Sequence, residues 1–181
     1  MGRYRKAEYY DKAFQLEKYN CHYSDTVYYE MWKKVISYID HSDVILEIGC
    51  GTGQFAEMLF THLDYHSYIG IDFSKVAIQK AIERNGQRFF LHDARKSFDS
   101  NYNTVICLET LEHIDNDIIV LKNLKSGTKF IGSVPIGNDP AHVRVFLTPE
   151  SIIERYGTLL DIEEIILFDD IKKHLFKATV K

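Results

Sequence analysis

Apolar and polar positions along the chain fall into short blocks that predict strands and helices in turn. Val44 to Ile48 is an apolar run bounded by Asp43 and by glycines, which reads as a short buried strand. Gln54 to Phe60 then resumes with helical spacing of Phe55, Met58 and Leu59. Tyr68 to Asp72 is a second strand ending in an acid. Ser74 caps the helix that follows, with Val76, Ala77, Ile78, Ala81 and Ile82 as its buried face and Asn85-Gly86 as its stop. Arg88 to Ala94 reads as a third strand with its loop, and Thr104 to Leu108 as a central fourth. A helix through Ile118, Ile119, Leu121 and Leu124 ends at Ser126-Gly127. Lys129 to Pro135 is the fifth strand, closed by a proline that has no N–H for the ladder. Thr148-Pro149-Glu150 opens a helix that buries Ile152, Ile153 and Tyr156. Asp161 to Phe168 is a sixth strand, and Leu175 to Val180 a last one, antiparallel after a tight link at Asp169-Asp170. Ahead of all this, Val27, Met31, Val35, Ile36 and Ile39 have the spacing of an amphipathic helix ending near Asp40, in a segment crowded with tyrosines.

Composition narrows the class. The 181 residues suit one domain with a short appendage, and a 45% apolar share supports a real core. No apolar run approaches membrane-spanning length, and the first residues are not followed by a signal-type apolar core. Cys21, Cys50 and Cys107 are odd in number and widely spaced, which fits small buried hydrophobes in a reducing compartment, so the expected location is cytoplasmic. A formal charge of −4 argues against a broad nucleic-acid surface, although Arg3, Arg5 and Lys6 could form a local basic arm.

The chemistry is concentrated after the first strand, in Glu47-x-Gly49-x-Gly51-x-Gly53. Strand, glycine turn and helix form a binding device: glycine lets a ligand approach the backbone, and the first helical N–H groups attract a polar or negative group. Glu47 adds a carboxylate beside those donors, which suits a ligand carrying both signs of charge. The pattern resembles the first motif of the class I S-adenosylmethionine-dependent methyltransferases, whose cofactor carries a sulfonium, an amino group and a carboxylate. A nicotinamide-dependent oxidoreductase is the alternative, because Gly51-x-Gly53-x-x-Ala56 satisfies a relaxed dinucleotide fingerprint, but Glu47 and Gly49 are then unexplained. A non-catalytic cofactor-binding module is the other. Absence of Gly-Lys-Ser/Thr excludes a P-loop.

Asp72, nineteen residues beyond Gly53, is placed to accept from the ribose hydroxyls, with Phe73 against the adenine. The resemblance further implies cofactor contacts from Cys50, from Asp93 and Ala94 at the adenine edge, and from Leu108. Glu109-Thr110-Leu111-Glu112-His113 is the second chemical stretch. If a helical turn begins at Glu109, then Glu109, Glu112 and His113 share one face and could hold a divalent metal, or His113 could serve as a base polarised by a carboxylate. The segment is similar to that of two metal-using branches, the ubiquinone-pathway O-methyltransferases and the small-RNA 3′-end 2′-O-methyltransferases. In the loop after the fifth strand, His142 is a candidate base or additional ligand and Arg144 a candidate substrate contact.

The resemblance implies a Rossmann-like methyltransferase fold: a doubly wound, mainly parallel seven-stranded α/β sheet over residues 41–181, with residues 1–40 as a helical, aromatic lid. Tyr9, Tyr10 and Tyr19 are its candidate substrate contacts. The expected reaction is methyl transfer from S-adenosylmethionine to a small-molecule hydroxyl, with an amine or an RNA 2′-hydroxyl as alternative acceptors. The expected assembly is a monomer or homodimer.

Overall fold

The computed structural model describes residues 4–63 and 67–181. Arg3 of the basic cluster, and residues 64–66 between the helix after the glycine turn and the second strand, lie outside the described residues.

Two short helices, α1 (Ala7–Ala13) and α2 (Tyr29–Ile36), precede the sheet. The apolar stripe of α2 buries Met31, Trp32 and Val35, while Val27 lies before the helix and is exposed. There follow β1 (Ile45–Ile48), α3 (Gln54–His62), β2 (Tyr68–Asp72), α4 (Lys75–Asn85), β3 (Phe89–Leu91) and β4 (Thr104–Leu108). The second half contains α5 (Asp117–Lys122), β5 (Lys129–Pro135), α6 (Pro149–Tyr156), β6 (Leu160–Phe168) and β7 (Lys173–Val180). The Ser74 hydroxyl accepts from Ala77 N at 3.1 Å and starts α4 as expected, and Gly86, at φ +87°, stops it.

The strands form one seven-stranded sheet in the order β3-β2-β1-β4-β5-β7-β6. Pairings from β3 through to β5 are parallel, and β7 runs antiparallel to both β5 and β6. This is the doubly wound, mainly parallel α/β sheet expected from the chain. Alternate strand residues point to opposite faces. Ile45 and Ile106 join Met31, Trp32, Phe55, Met58 and Ala81 under α2, α3 and α4. Leu46, Ile48, Val105 and Cys107 join Val120, Leu121, Ile152 and Tyr156 under α5 and α6. Each fully buried aliphatic side chain contributes about 1.5–3 kcal/mol, so both faces are firmly fixed and the strand ends between them are held in place.

Two local differences from the sequence reading affect the site. β7 begins at Lys173, two residues earlier than expected, because the 3-10 turn Asp169–Ile171 and Lys172 at φ +54° complete the reversal sooner. Glu109 has φ +50° and lies outside the 3-10 turn Leu111–His113, so no helical turn starts there. Among the described residues, no helix is long and apolar enough to cross a membrane.

Candidate active site

Sheet order reverses between β1 and β4, since β2 and β3 lie on one side of β1 and β4 and β5 on the other. Loops leaving the carboxyl ends of β1 and β4 therefore diverge and open a crevice. Gly49 occupies it at φ +75°, and its N–H, together with that of Cys50, donates to Ile71 O at 2.8 and 3.1 Å. A Cβ on Gly49 would meet Thr110 Cγ2 at 2.7 Å, with Thr110 Oγ1 nearer still. Only glycine supplies both that backbone conformation and that close approach. Gly53 serves packing instead. A Cβ there would meet Ala81 at 3.1 Å, so this glycine seats the start of α3 on α4 and does not line the crevice.

The crevice is a cavity of about 330 Å³. One end is lined by Glu47, Gly49, Cys50, Gly51, Asp72 and Phe73, the residues expected to contact the cofactor, with Asp93, Ala94 and Leu108 at the side. Glu47 is 3% exposed and accepts a hydrogen bond from the Tyr68 hydroxyl. Burial pushes its pKa up to about 7, against the opposing effect of that bond. Asp72 accepts from Gly51 N at 3.1 Å and Ser74 N at 2.8 Å, and burial still raises its pKa to about 6. Asp93 is held differently, by a forked pairing with the Arg95 guanidinium (2.8 and 3.0 Å) that keeps its carboxyl below the usual range.

A carboxylate poised near pH 7 gives a direct expectation. An ammonium ligand needs ionised Glu47, so affinity for S-adenosylhomocysteine should rise with pH and level off above about 7. Below that, one obligatory deprotonation corresponds to about tenfold in affinity per pH unit. Calorimetric titrations at three pH values check this, and a flat profile would remove Glu47 from the amino-group contact.

At the other end lie Glu109, His113, His142, Asp139 and Lys173. Glu109 is engaged: Ser133 Oγ donates to it at 2.9 Å, and it forms an ion pair with Lys173. It therefore stands apart from Glu112 and His113, correcting the shared helical face expected for the three. His142 takes its place, since ligand atoms of Glu112, His113 and His142 all lie within 4.8 Å of one another. Nδ1 of His113 contacts Ala141 O, and Nδ1 of His142 contacts Gly137 O, both at 3.1 Å. A carbonyl oxygen only accepts, so each Nδ1 carries a proton and Nε2 is the nitrogen left to bear the lone pair of a neutral ring. Burial lowers the pKa of His113 to about 4, leaving it neutral at physiological pH. Glu112 is fully buried, and among the described residues neither of its carboxylate oxygens has a hydrogen-bond partner; His113 Nε2 is 3.7 Å away, beyond bonding distance. Burial raises the pKa of Glu112, and the charge of Glu109 adds to the effect.

Tyr4, Tyr10, Phe14, Lys18 and Tyr19 bring the N-terminal segment against the cavity. The Tyr10 ring lies 5.2 Å from Phe73 and 5.6 Å from His113, spanning both ends, and Phe14 faces Gly51. Asp11 accepts from Ser74 Oγ at 2.5 Å, and Thr52 Oγ1 donates to Tyr19 O, so the segment is tied to the end bearing the glycine turn. Tyr10 and Tyr19 line the cavity, whereas Tyr9 is 42% exposed and does not. Arg144 is also absent from the lining. Lys173, Thr110 and Tyr28 line it without having been singled out by the sequence. Lys173 carries no local motif and arrives only through the early start of β7. Thr110 had a signal in its place directly after the fourth strand, facing the glycine turn.

Comparison with known proteins fits this geometry. Residues 46–129 match the family model of a methyltransferase domain, a span running from β1 to the start of β5. That match spans 84 of the 181 residues, and over it the chain is similar to methyltransferase domains. Over 82 residues it is 33% identical to a mouse (Mus musculus) eEF1A lysine and N-terminal methyltransferase, which covers 45% of this chain but only 12% of that relative. Among solved structures, a complex between the Haloferax volcanii Trm112 methyltransferase activator and a putative methyltransferase matches at TM-score 0.73 and 13% identity, covering 99% of both chains. The magnesium protoporphyrin IX methyltransferase of Synechocystis PCC 6803, solved with bound S-adenosylmethionine, matches at TM-score 0.64 and 16% identity over 84% of this chain and 79% of that one. These two structural likenesses bear on the fold. S-adenosylmethionine is the cofactor of the methyltransferase family, and the donor-rich glycine turn between two buried acids suits it.

Proposed function

We propose that the chain transfers the methyl group of S-adenosylmethionine to a hydroxyl oxygen of a small-molecule acceptor. The observation that carries this reading is the pairing, in one cavity, of the Glu47–Asp72 glycine turn with two lone-pair histidine nitrogens at the far end. The acceptor oxygen attacks the methyl carbon, the carbon–sulfur bond breaks, and the sulfonium becomes a neutral thioether. The carbon is already activated, so the protein contributes alignment and exclusion of water. Phe73, Phe14 and Tyr10 cover the cofactor end. Without a metal, the hydroxyl proton would pass to the Nε2 lone pair of a neutral His113 or His142, since each Nδ1 is committed to a carbonyl; with a metal bound, those lone pairs would be its ligands and the proton would leave to solvent.

A divalent metal fits the acceptor end. Glu112 is a buried carboxylate lacking hydrogen-bond partners among the described residues, and two imidazoles donate their outer N–H to backbone carbonyls, an arrangement typical of histidine metal ligands. Glu112, His113 and His142 would hold it, with Glu109 retained by Ser133 and Lys173. Once bound, such an ion would lower the pKa of an acceptor hydroxyl. The lysine named for the mouse relative favours a second reading, an amine acceptor, which needs no such ion.

Transfer of labelled methyl groups into pooled hydroxyl-bearing metabolites, pooled amines and proteins should label the hydroxyl pool. A chelator should reduce that labelling at least tenfold, with manganese or magnesium restoring it. Labelling confined to protein or amines, unaffected by the chelator, would overturn both the acceptor and the metal.

A further inference from the structure

We propose that Arg144 is a positioning residue that assembles the acceptor end of the cavity. It locks the turn bearing Glu112 and His113 to the loop bearing His142. This rests on the preceding reading of those three side chains as the reactive end, and it gives Arg144 a role other than substrate contact.

His113 and His142 belong to separate segments, with α5 and β5 between them. Leu111–His113 is a single short 3-10 turn whose own backbone bonds, His113 N to Thr110 O at 3.1 Å and Ile114 N to Leu111 O at 3.2 Å, hold it weakly. Arg144 braces it at its start and just beyond its end. Its guanidinium donates to Leu111 O at 2.8 Å, Ile114 O at 2.5 Å and Asp115 O at 2.8 Å, closing the turn from outside the cavity. One residue away, Val143 N donates to Glu112 O at 2.8 Å, and next to that His142 projects toward His113, their ring centroids 4.9 Å apart. The loop and the turn are therefore joined along one short edge.

The guanidinium is itself anchored. Its Nη1 lies 3.1 Å from an oxygen of Asp117, which is fully buried and also takes Arg155 Nη2 at 2.5 Å and the Tyr156 hydroxyl at 2.6 Å. Asp117 balances the buried positive charge, so the fork stays aimed at the carbonyls. A lysine at this position provides one compact ammonium and cannot span three carbonyls spread over five residues.

The tautomers of His113 and His142 report the lock without requiring a metal or an acceptor. In the wild-type protein, nitrogen-15 NMR should show both rings as Nδ1–H tautomers. In Arg144→Lys both should shift toward mixed tautomers, and Co²⁺ affinity should fall at least tenfold, while S-adenosylhomocysteine affinity stays within twofold. Arg155→Met, which removes the other cation from Asp117 but no carbonyl contact, should leave rings and Co²⁺ affinity near wild type. The proposal is overturned if Arg144→Lys keeps both tautomers, or if Arg155→Met disturbs them equally. Should Arg144→Lys fail to bind S-adenosylhomocysteine, Arg144→Gln is read by the same criteria, and loss of that binding in both variants overturns the proposal as well. Absence of Co²⁺ binding in the wild-type protein would refute the metal reading alone, because the tautomer shift would still decide the role of Arg144.

Discussion

Glu112→Gln is expected to reduce methyl transfer about a thousandfold while leaving the metal-free protein more stable than wild type. These opposite signs come from one fact: the carboxylate is fully buried and, among the described residues, neither oxygen has a hydrogen-bond partner. A buried carboxyl without hydrogen bonds is costly even with Arg144 and Lys173 nearby, and a neutral amide of nearly equal shape removes about 1 kcal/mol or more of that cost. A group retained at such expense marks a site shaped for function rather than for stability. Thermal unfolding in chelator, beside a labelled-transfer assay, reads both effects. Cofactor affinity should be unchanged, because Glu112 does not line the glycine turn. Lower stability with retained transfer would show that Glu112 has a structural role.

Gly49→Ala is expected to destabilise the protein by about 3 kcal/mol and to abolish cofactor binding. Two costs combine. A side chain at φ +75° carries backbone strain of about 1–2 kcal/mol, and the new methyl would overlap the Thr110 side chain, a crowding worth about 1–3 kcal/mol. Gly127→Ala separates the two, since Gly127 sits at φ +81° with nothing near its absent Cβ. It should lose only the strain, about 1–2 kcal/mol, and keep full cofactor affinity. Denaturant unfolding of both variants, with calorimetry on the folded fraction, tests the pair. Equal destabilisation would mean that the Gly49–Thr110 contact carries no weight.

The gathering of residues around the glycine turn was legible in the chain because its signals are local. Glu47, Gly49, Gly51 and Asp72 stand within or just after apolar runs, and the sheet register brings those strand ends together. Hydrophobic alternation likewise sufficed to place the strands, because each face has its own helix layer. The acceptor end was harder to read because it is assembled across distance. Glu109, Glu112 and His113 look like one helical face by spacing, yet the positive φ of Glu109 turns it toward Ser133 and Lys173. His142 reaches His113 only through a loop whose course depends on hydrogen bonds to residues 111–115. Lys173 enters from β7, where an antiparallel reversal decides which residue meets the cavity. Among the lid tyrosines, spacing could not tell Tyr10, wedged between Phe73 and His113, from the outward Tyr9.

A crystal structure of the chain soaked with S-adenosylhomocysteine addresses the core of this account most directly. The amino-acid tail should lie at the glycine turn with its ammonium toward Glu47, both ribose hydroxyls should bond Asp72, and the sulfur should face His113 and His142. A nucleoside lodged away from the β1–β4 crevice, or one whose ribose leaves Asp72 untouched, would contradict it.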